Sequence, residues 1–369
     1  MKLLLVVGTR PNLMKASALL RAFRAEPAIG TVLVHTGQHY DDSLSGQFFT
    51  QLGLSAPDYA LNVSPGSITQ QTVSIMARLE PVLLAEQPDW VVVIGDVTST
   101  LSAARVANQL RIRVAHVEAG LRSFDHTMPE ETNRVLTDEL ADVLFVTEQS
   151  GIDNLLHEGI PPEKIQFVGN VLIDALVHCR PKANRLNTVG ALGLIPKQYA
   201  LMTMHRPANV DTKVGLQAVL HIAETTARQL TVVLPLHPRT RAGLVRFGLF
   251  DTLTQLKNVR LLEPQGYLEF LNLLEHAAVV LTDSGGVQEE TTFLNVPCLT
   301  LRTTTERPAT ITHGTNQLIP SLDPVIIQEK ITEIRVVRVR PDATPPLWDG
   351  RAAERIRGFF LNSDTTKTE

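Results

Sequence analysis

With 369 residues, 44% of them hydrophobic and 20% charged, the chain is long enough for two ordinary domains and apolar enough to give each a core. A net charge of -4 leaves no basic footprint for nucleic acid, and the two distant cysteines, Cys179 and Cys298, suggest neither a disulfide framework nor a thiolate metal site. No run approaches the ~18 apolar residues of a membrane span, and the run in MKLLLVVGTRPN is too short for a signal peptide, so a soluble cytoplasmic protein with no nucleic-acid or membrane partner is expected.

Short runs rich in Val, Ile and Leu recur along the first half: KLLLVVGT, TVLVHTG, WVVVIGD, VAHVEAG and VLFVTE, each followed by a stretch of helical period. The pattern resumes with YALMTMH, LTVVLPLH, VRLLEP, AVVLTDSGG and VPCLTLR. Strand-then-helix alternation predicts parallel, doubly wound sheets, here in two Rossmann-like α/β domains. The polar segment around residues 179–198 lacks a strong strand, which places the domains at 1–178 and 179–346. The segment 347–365, Trp348 and then GRAAERIRGFFL, reads as an amphipathic closing helix assigned to the first domain.

In open α/β sheets ligands lie beyond the carboxyl ends of the strands, so the polar residues that follow each apolar run are the candidates. The first half offers Gly8, Thr9, Arg10 and Lys15, then Gln38 and His39, Asp96, Glu118 and Glu130. The second offers His205 and Arg206, His237 and Arg239, the turn Ser284, Gly285 and Gly286, and finally Glu306 and Arg307. Cations and a glycine turn opening a helix suit phosphate; carboxylates suit proton transfer or sugar hydroxyls. Both kinds together suggest a nucleotide sugar. Each has a plainer reading: Arg10 and Lys15 as a surface pair, Asp96 and Glu118 as caps, the histidines as satisfied core residues. GxGxxG after the first strand, GxxxxGK[ST], HExxH and GxSxG are all absent, which weighs against a dinucleotide enzyme, an NTPase, a metalloprotease and a hydrolase elbow; no catalytic metal is expected.

The motifs converge on one family. In order, GTRPNLMK, TGQHYD, GDVTSTL, HVEAGLRSFD, MPEETNR, FVGNVLIDAL, MHRPANVD, TDSGGVQEET, TTTERP and DGRAAERI make the chain resemble the non-hydrolysing UDP-N-acetylglucosamine 2-epimerases. The resemblance implies the GT-B-like two-domain fold with an interdomain active-site cleft and a homodimer. It implies interconversion of UDP-GlcNAc and UDP-ManNAc without a cofactor, by elimination of UDP to a 2-acetamidoglucal and re-addition, supplying ManNAc-type sugars for polysaccharides. Asp96, Glu118 and Glu130 are then the sugar-side acids. Arg10, Lys15, His205, Arg307 and the amides after Ser284 hold the diphosphate, Glu290 the ribose, and Gln265 and Phe270 surround the uracil. Glu289 keeps a structural or dipole-complementing reading.

The chain departs from the commoner family pattern at Asn12, where many members have Glu, and at Ala208, where an acid is usual. Members activated by UDP-GlcNAc at a second site carry QHR where this chain has QHY, so the resemblance does not carry that activation over. A related UDP-sugar as substrate, a hydrolysing epimerase, a retaining glycosyltransferase of the same fold and a non-catalytic UDP-sugar sensor remain as rivals. The glycosyltransferase is disfavoured because the second glutamate such enzymes place eight positions before the ribose-binding one is here Thr282.

Overall fold

The computed structural model describes residues 1–37, 49–336 and 344–365. The chain divides into two compact units, the first comprising Met1–Val177 and the segment from Pro346, the second His178–Pro345. The segment 179–198 indeed holds no strand: the helix Val171–Leu186, with Pro181 within it, runs into it and the short helix Thr188–Ala191 follows.

Unit 1 is built on a seven-stranded parallel sheet in the order β3-β2-β1-β4-β5-β6-β7. Its strands are β1 (Lys2–Val7), β2 (Gly30–His35), β3 (Tyr59–Ala60), β4 (Trp90–Ile94), β5 (Arg113–Ala119), β6 (Val143–Val146) and β7 (Ile165–Phe167). Helices cover the sheet, so its central strands are apolar on both faces, and Leu3, Leu4 and Leu5 are fully buried in succession. The terminal helix Ala352–Thr365 closes this unit. Its Phe360 packs edge-on against Phe23, Trp90 and Phe145 with ring centroids 5.8, 5.5 and 5.7 Å apart. The Asp174 carboxylate caps its start, accepting from the backbone N–H of Ala352 at 3.1 Å and of Ala353 at 2.7 Å.

Unit 2 has a six-stranded parallel sheet in the order β10-β9-β8-β11-β12-β13. These are β8 (Tyr199–Thr203), β9 (Thr231–Pro235), β10 (Val259–Leu262), β11 (Val279–Thr282), β12 (Cys298–Thr300) and β13 (Asn316–Leu318). In both units the strand order reverses next to the first strand. In unit 1 the reversal falls where β1 pairs with β4, in unit 2 where β8 pairs with β11. Those are the switch points at which doubly wound sheets leave a crevice beyond the strand ends. The turns after β1 and β4 carry Arg10 and Asp96; those after β8 and β11 carry His205 and Ser284. Among the described residues no helix is long and apolar enough to cross a membrane.

Candidate active site

In unit 1 the carboxylates sit where two strands end in unusual backbone. Gly95, just past β4, has φ +68°, and Glu118, near the end of β5, has φ +74° beside a register shift between β5 and β6. A non-glycine residue there is costly unless the surroundings enforce it. The bulge turns the Glu118 side chain toward Gly95, so close that a Cβ on Gly95 would lie 3.1 Å from Glu118 Oε2. The Gly-Asp order after β4 is thereby explained: glycine makes room for one acid and Asp96 supplies the other.

Each acid is matched by a buried cation. Lys15 Nζ, one turn into the helix Arg10–Arg24, donates to Glu118. Arg134 donates to Asp96 and pairs with Glu131 at 2.8 Å. Asn133 Nδ2 donates to the Asp96 carbonyl at 2.8 Å, so the helix Pro129–Leu140 holds Asp96 by both side chain and backbone. The Asp96 side chain is 25% exposed and that of Glu118 only 4%. Asp96 is therefore the more accessible of the two.

Glu130 is half-buried in the first turn of that helix. Its neighbour Glu131, not singled out from sequence, is buried and accepts from Ser123 N–H at 2.9 Å, Ser123 Oγ at 2.8 Å and Phe124 N–H at 2.9 Å. Burial alone would raise its pKa, but those hydrogen bonds and Arg134 outweigh burial and hold it below the usual range. Arg10 is half-buried at the helix start. Asn12, the family departure, donates to the Ile94 carbonyl at 2.6 Å, a bond that an ionised glutamate has no proton to make. Gln38 and His39 lie outside the described residues.

In unit 2 the organising residue is Asp283, which lies within the motif TDSGGVQEET and is not among the expected site residues. Asp283, fully buried after β11, accepts from the backbone N–H of His205 at 3.1 Å and of Arg206 at 2.9 Å, and from Asn209 Nδ2 at 3.0 Å. It also faces His205 Nδ1 at 3.1 Å. Burial pushes its pKa up, yet His205 and these donors together leave it below the usual carboxylate range. The criterion that selected Asp96, an acid just after an apolar strand, would have found it. His205 and His237, predicted at equivalent strand ends, come together with ring centroids 5.1 Å apart. Arg239 does not join them; it pairs with Asp211 at 2.6 Å on the surface.

The helix Gly285–Phe293 opens with Ser284 as N-cap, and the Ser284 side chain does not bond its own helix. Over this N-terminus lies Arg307, so near that a Cβ on Gly285 would come within 2.7 Å of its Nη1. Glu289, fully buried, pairs with Arg307 Nε at 2.9 Å, which makes it a structural anchor. Glu306 pairs with Arg302 at 2.9 Å and lies 3.8 Å from Arg206. Helix amides, a guanidinium and two imidazoles make a setting suited to an anion.

Glu290, on the same helix, is buried and accepts from Tyr267 Oη at 3.0 Å. Burial, reinforced by Glu289 and opposed by Tyr267, pushes its pKa up to about 8. Tyr267 lies between Gln265 and Phe270 in sequence and links that segment to Glu290, a role the motif PQGYLEF alone does not reveal. Gln265 Nε2 bonds the Glu263 carbonyl at 2.8 Å, and Phe270 packs at the edge of the core that includes Leu273 and Val280. Among the described residues no group of three or more His, Cys, Asp or Glu could hold a metal ion.

The sequence model of the UDP-N-acetylglucosamine 2-epimerases matches residues 21–360. A UDP-N-acetylglucosamine 2-epimerase of Methanocaldococcus jannaschii is 43% identical over 96% of this chain and 98% of that protein. A UDP-2,3-diacetamido-2,3-dideoxy-D-glucuronate 2-epimerase of Pseudomonas aeruginosa is 40% identical over 98% of this chain and 99% of its own length. The crystal structure of the M. jannaschii UDP-GlcNAc 2-epimerase with UDP-GlcNAc and UDP superposes with a TM-score of 0.89 at 41% identity, covering 98% of this chain and 100% of that one. The strand-end acids, the glycine-opened helix and matches along nearly the whole sequence lead to one assignment: the chain belongs to the UDP-N-acetylglucosamine 2-epimerase family.

Proposed function

We propose that the protein interconverts UDP-GlcNAc and UDP-ManNAc by eliminating UDP to a 2-acetamidoglucal and adding it back. The observation that carries this reading is the pairing of Asp96 and Glu118 at adjacent strand ends, each matched to its own cation. The C2 proton has no neighbouring carbonyl to acidify it, so C1–O cleavage runs ahead and builds oxocarbenium character on the sugar with negative charge on the leaving phosphate. Arg307, His205 and the amides after Ser284 stabilise that departing charge, each such donor contributing roughly 3 kcal/mol. Arg10 assists at the phosphate, while Lys15 acts on Glu118, its partner in the structure.

Asp96 and Glu118, with Glu130 nearby in sequence, divide the remaining work. One carboxylate takes the C2 proton as the C1–O bond breaks; a carboxylic acid then delivers a proton to the opposite face of C2, and the UDP phosphate adds back to the C1 cation this forms. The atoms balance and no redox cofactor is called for. Glu290 binds the ribose, with Gln265 and Phe270 about the uracil. The product serves polysaccharide synthesis in the cytoplasm, and the enzyme works as a homodimer.

A second reading is favoured by the P. aeruginosa relative, named for a diacetamido glucuronate, whose identity to this chain is close to that of the M. jannaschii enzyme. Incubation of the purified protein with UDP-GlcNAc and with UDP-2,3-diacetamido-2,3-dideoxy-D-glucuronate, followed by product analysis, separates the two. UDP-ManNAc from the first supports the reading; turnover of the second alone replaces it. Free ManNAc with UDP would identify a hydrolysing enzyme.

A further inference from the structure

Unit 1 buries more charge than the sugar-side acids need. His116 on β5 and Asp138 on the helix Pro129–Leu140 have side chains 0% and 1% exposed, with Nδ1 and Oδ1 2.6 Å apart. The other ring nitrogen, Nε2, lies 2.8 Å from the Gly95 carbonyl oxygen. A carbonyl only accepts, so Nε2 carries a proton, and a second proton lies between Nδ1 and Oδ1. Asp138 Oδ2 accepts from the Gly120 N–H at 3.1 Å and pairs with Arg122 at 2.7 Å. Arg122 in turn grips Glu158 with two bonds of 2.8 and 2.7 Å.

Gly95 directly precedes Asp96, and Gly120 follows Glu118 by two residues. Both turns hold left-handed backbone, with φ +68° at Gly95, +74° at Glu118 and +78° at Gly120. Glycine adopts such backbone freely, but at Glu118 it persists only where the surroundings over-determine it. One buried pair therefore grips both turns, the first by its carbonyl and the second by its N–H.

We propose that the His116–Asp138 pair is a positioning device that fixes the turns bearing Asp96 and Glu118 relative to one another. The inference rests on the 2-epimerase reading, because it is the geometry of those two acids about C2 that the pair would set. Proton transfer is sensitive to such geometry, and a misplacement of about 1 Å costs on the order of a hundredfold in rate.

His116→Gln tests it. A glutamine amide offers one donor and one acceptor at the ring-nitrogen spacing, so one of its ends must face an acceptor wrongly. In His116→Gln/Asp138→Asn the match returns without the charge: Gln donates to Gly95, Asn donates to Gln, and the Asn oxygen serves Gly120 and Arg122. With UDP-GlcNAc as substrate, the single variant is expected to lose about a hundredfold in kcat with the Kd for UDP unchanged, and the double variant to recover most of it. A merely structural role would lower thermal stability without separating kcat, measured per UDP-binding site, from UDP affinity. Wild-type kcat in a folded single variant overturns the proposal. If the single variant does not fold, a double variant that folds and binds UDP yet stays inactive overturns it. Absence of turnover by the wild-type protein with any UDP-sugar would instead sink the 2-epimerase reading.

Discussion

The guanidinium of Arg307 lies against Gly285, where a Cβ would come within 2.7 Å of Nη1. That approach places a cation over the first amides of the helix Gly285–Phe293, and Glu289 holds it there from beneath. Gly285 is the first residue of the helix, where alanine favours helix formation over glycine. Gly285→Ala should therefore fold normally while weakening UDP binding by roughly tenfold or more, the worth of one displaced charged hydrogen bond. Calorimetric titration with UDP checks this; unchanged affinity would remove Arg307 from the phosphate site.

Asp283 collects four donors in an enclosed place. Its folded pKa is depressed, so its stabilisation is complete above the ordinary aspartate value of about 4 and disappears only as pH falls through the lower folded value. Asp283→Asn should cost about 2–3 kcal/mol at neutral pH, and the gap to wild type should close in acid. Urea unfolding of both proteins at neutral and strongly acidic pH measures the gap. A difference that persists unchanged in acid would contradict the assignment.

Glu290 runs the opposite way. With a folded pKa of about 8 against an ordinary value near 4.3, the unfolded chain releases its proton first, so stability falls as pH rises between those values and levels off above them. Glu290→Gln, the neutral isostere, removes that slope. Relative to the variant, wild type should lose on the order of 1 kcal/mol per pH unit across the neutral range, read from denaturation midpoints in a pH series. Parallel curves would show that Glu290 is ionised throughout.

Phe360 closes unit 1 by meeting Phe23, Trp90 and Phe145. Phe360→Ala leaves a cavity among those rings and should cost about 3–5 kcal/mol. Differential scanning calorimetry should register a lowered transition, with UDP affinity kept if unit 2 retains its own fold. A transition at the wild-type temperature would mean that the terminal helix contributes nothing to unit 1.

The long apolar runs that end in glycine or acid, such as WVVVIGD and AVVLTDSGG, made both parallel sheets legible from sequence. The short strands Tyr59–Ala60, Ile165–Phe167 and Asn316–Leu318 were not, because two or three residues carry no periodicity and are fixed by the neighbour they pair with. At the site, strand-end position pointed to Asp96, Glu118 and the two histidines. Arg134, the partner of Asp96, and Asp138, the partner of the buried His116, lie inside a helix, where charge looks like an exposed face until tertiary contact buries it. The left-handed backbone at Glu118 left no signal either, since it sits at the register shift between β5 and β6 and no residue type marks it. The family resemblance assigns Lys15 to the diphosphate, whereas in the structure its ammonium sits on Glu118.

If Asp96 and Glu118 move the C2 proton of a UDP-sugar, hydrogen from solvent enters C2 during turnover. The most direct measurement is mass and NMR analysis of UDP-GlcNAc and its epimer after incubation with wild-type protein and with Asp96→Asn in deuterated water. Deuterium is expected at C2 from wild type, and from Asp96→Asn a loss of exchange by at least about a hundredfold with UDP still bound. Epimer formed by wild type without deuterium at C2, or exchange undiminished in Asp96→Asn, would contradict that role of the two acids.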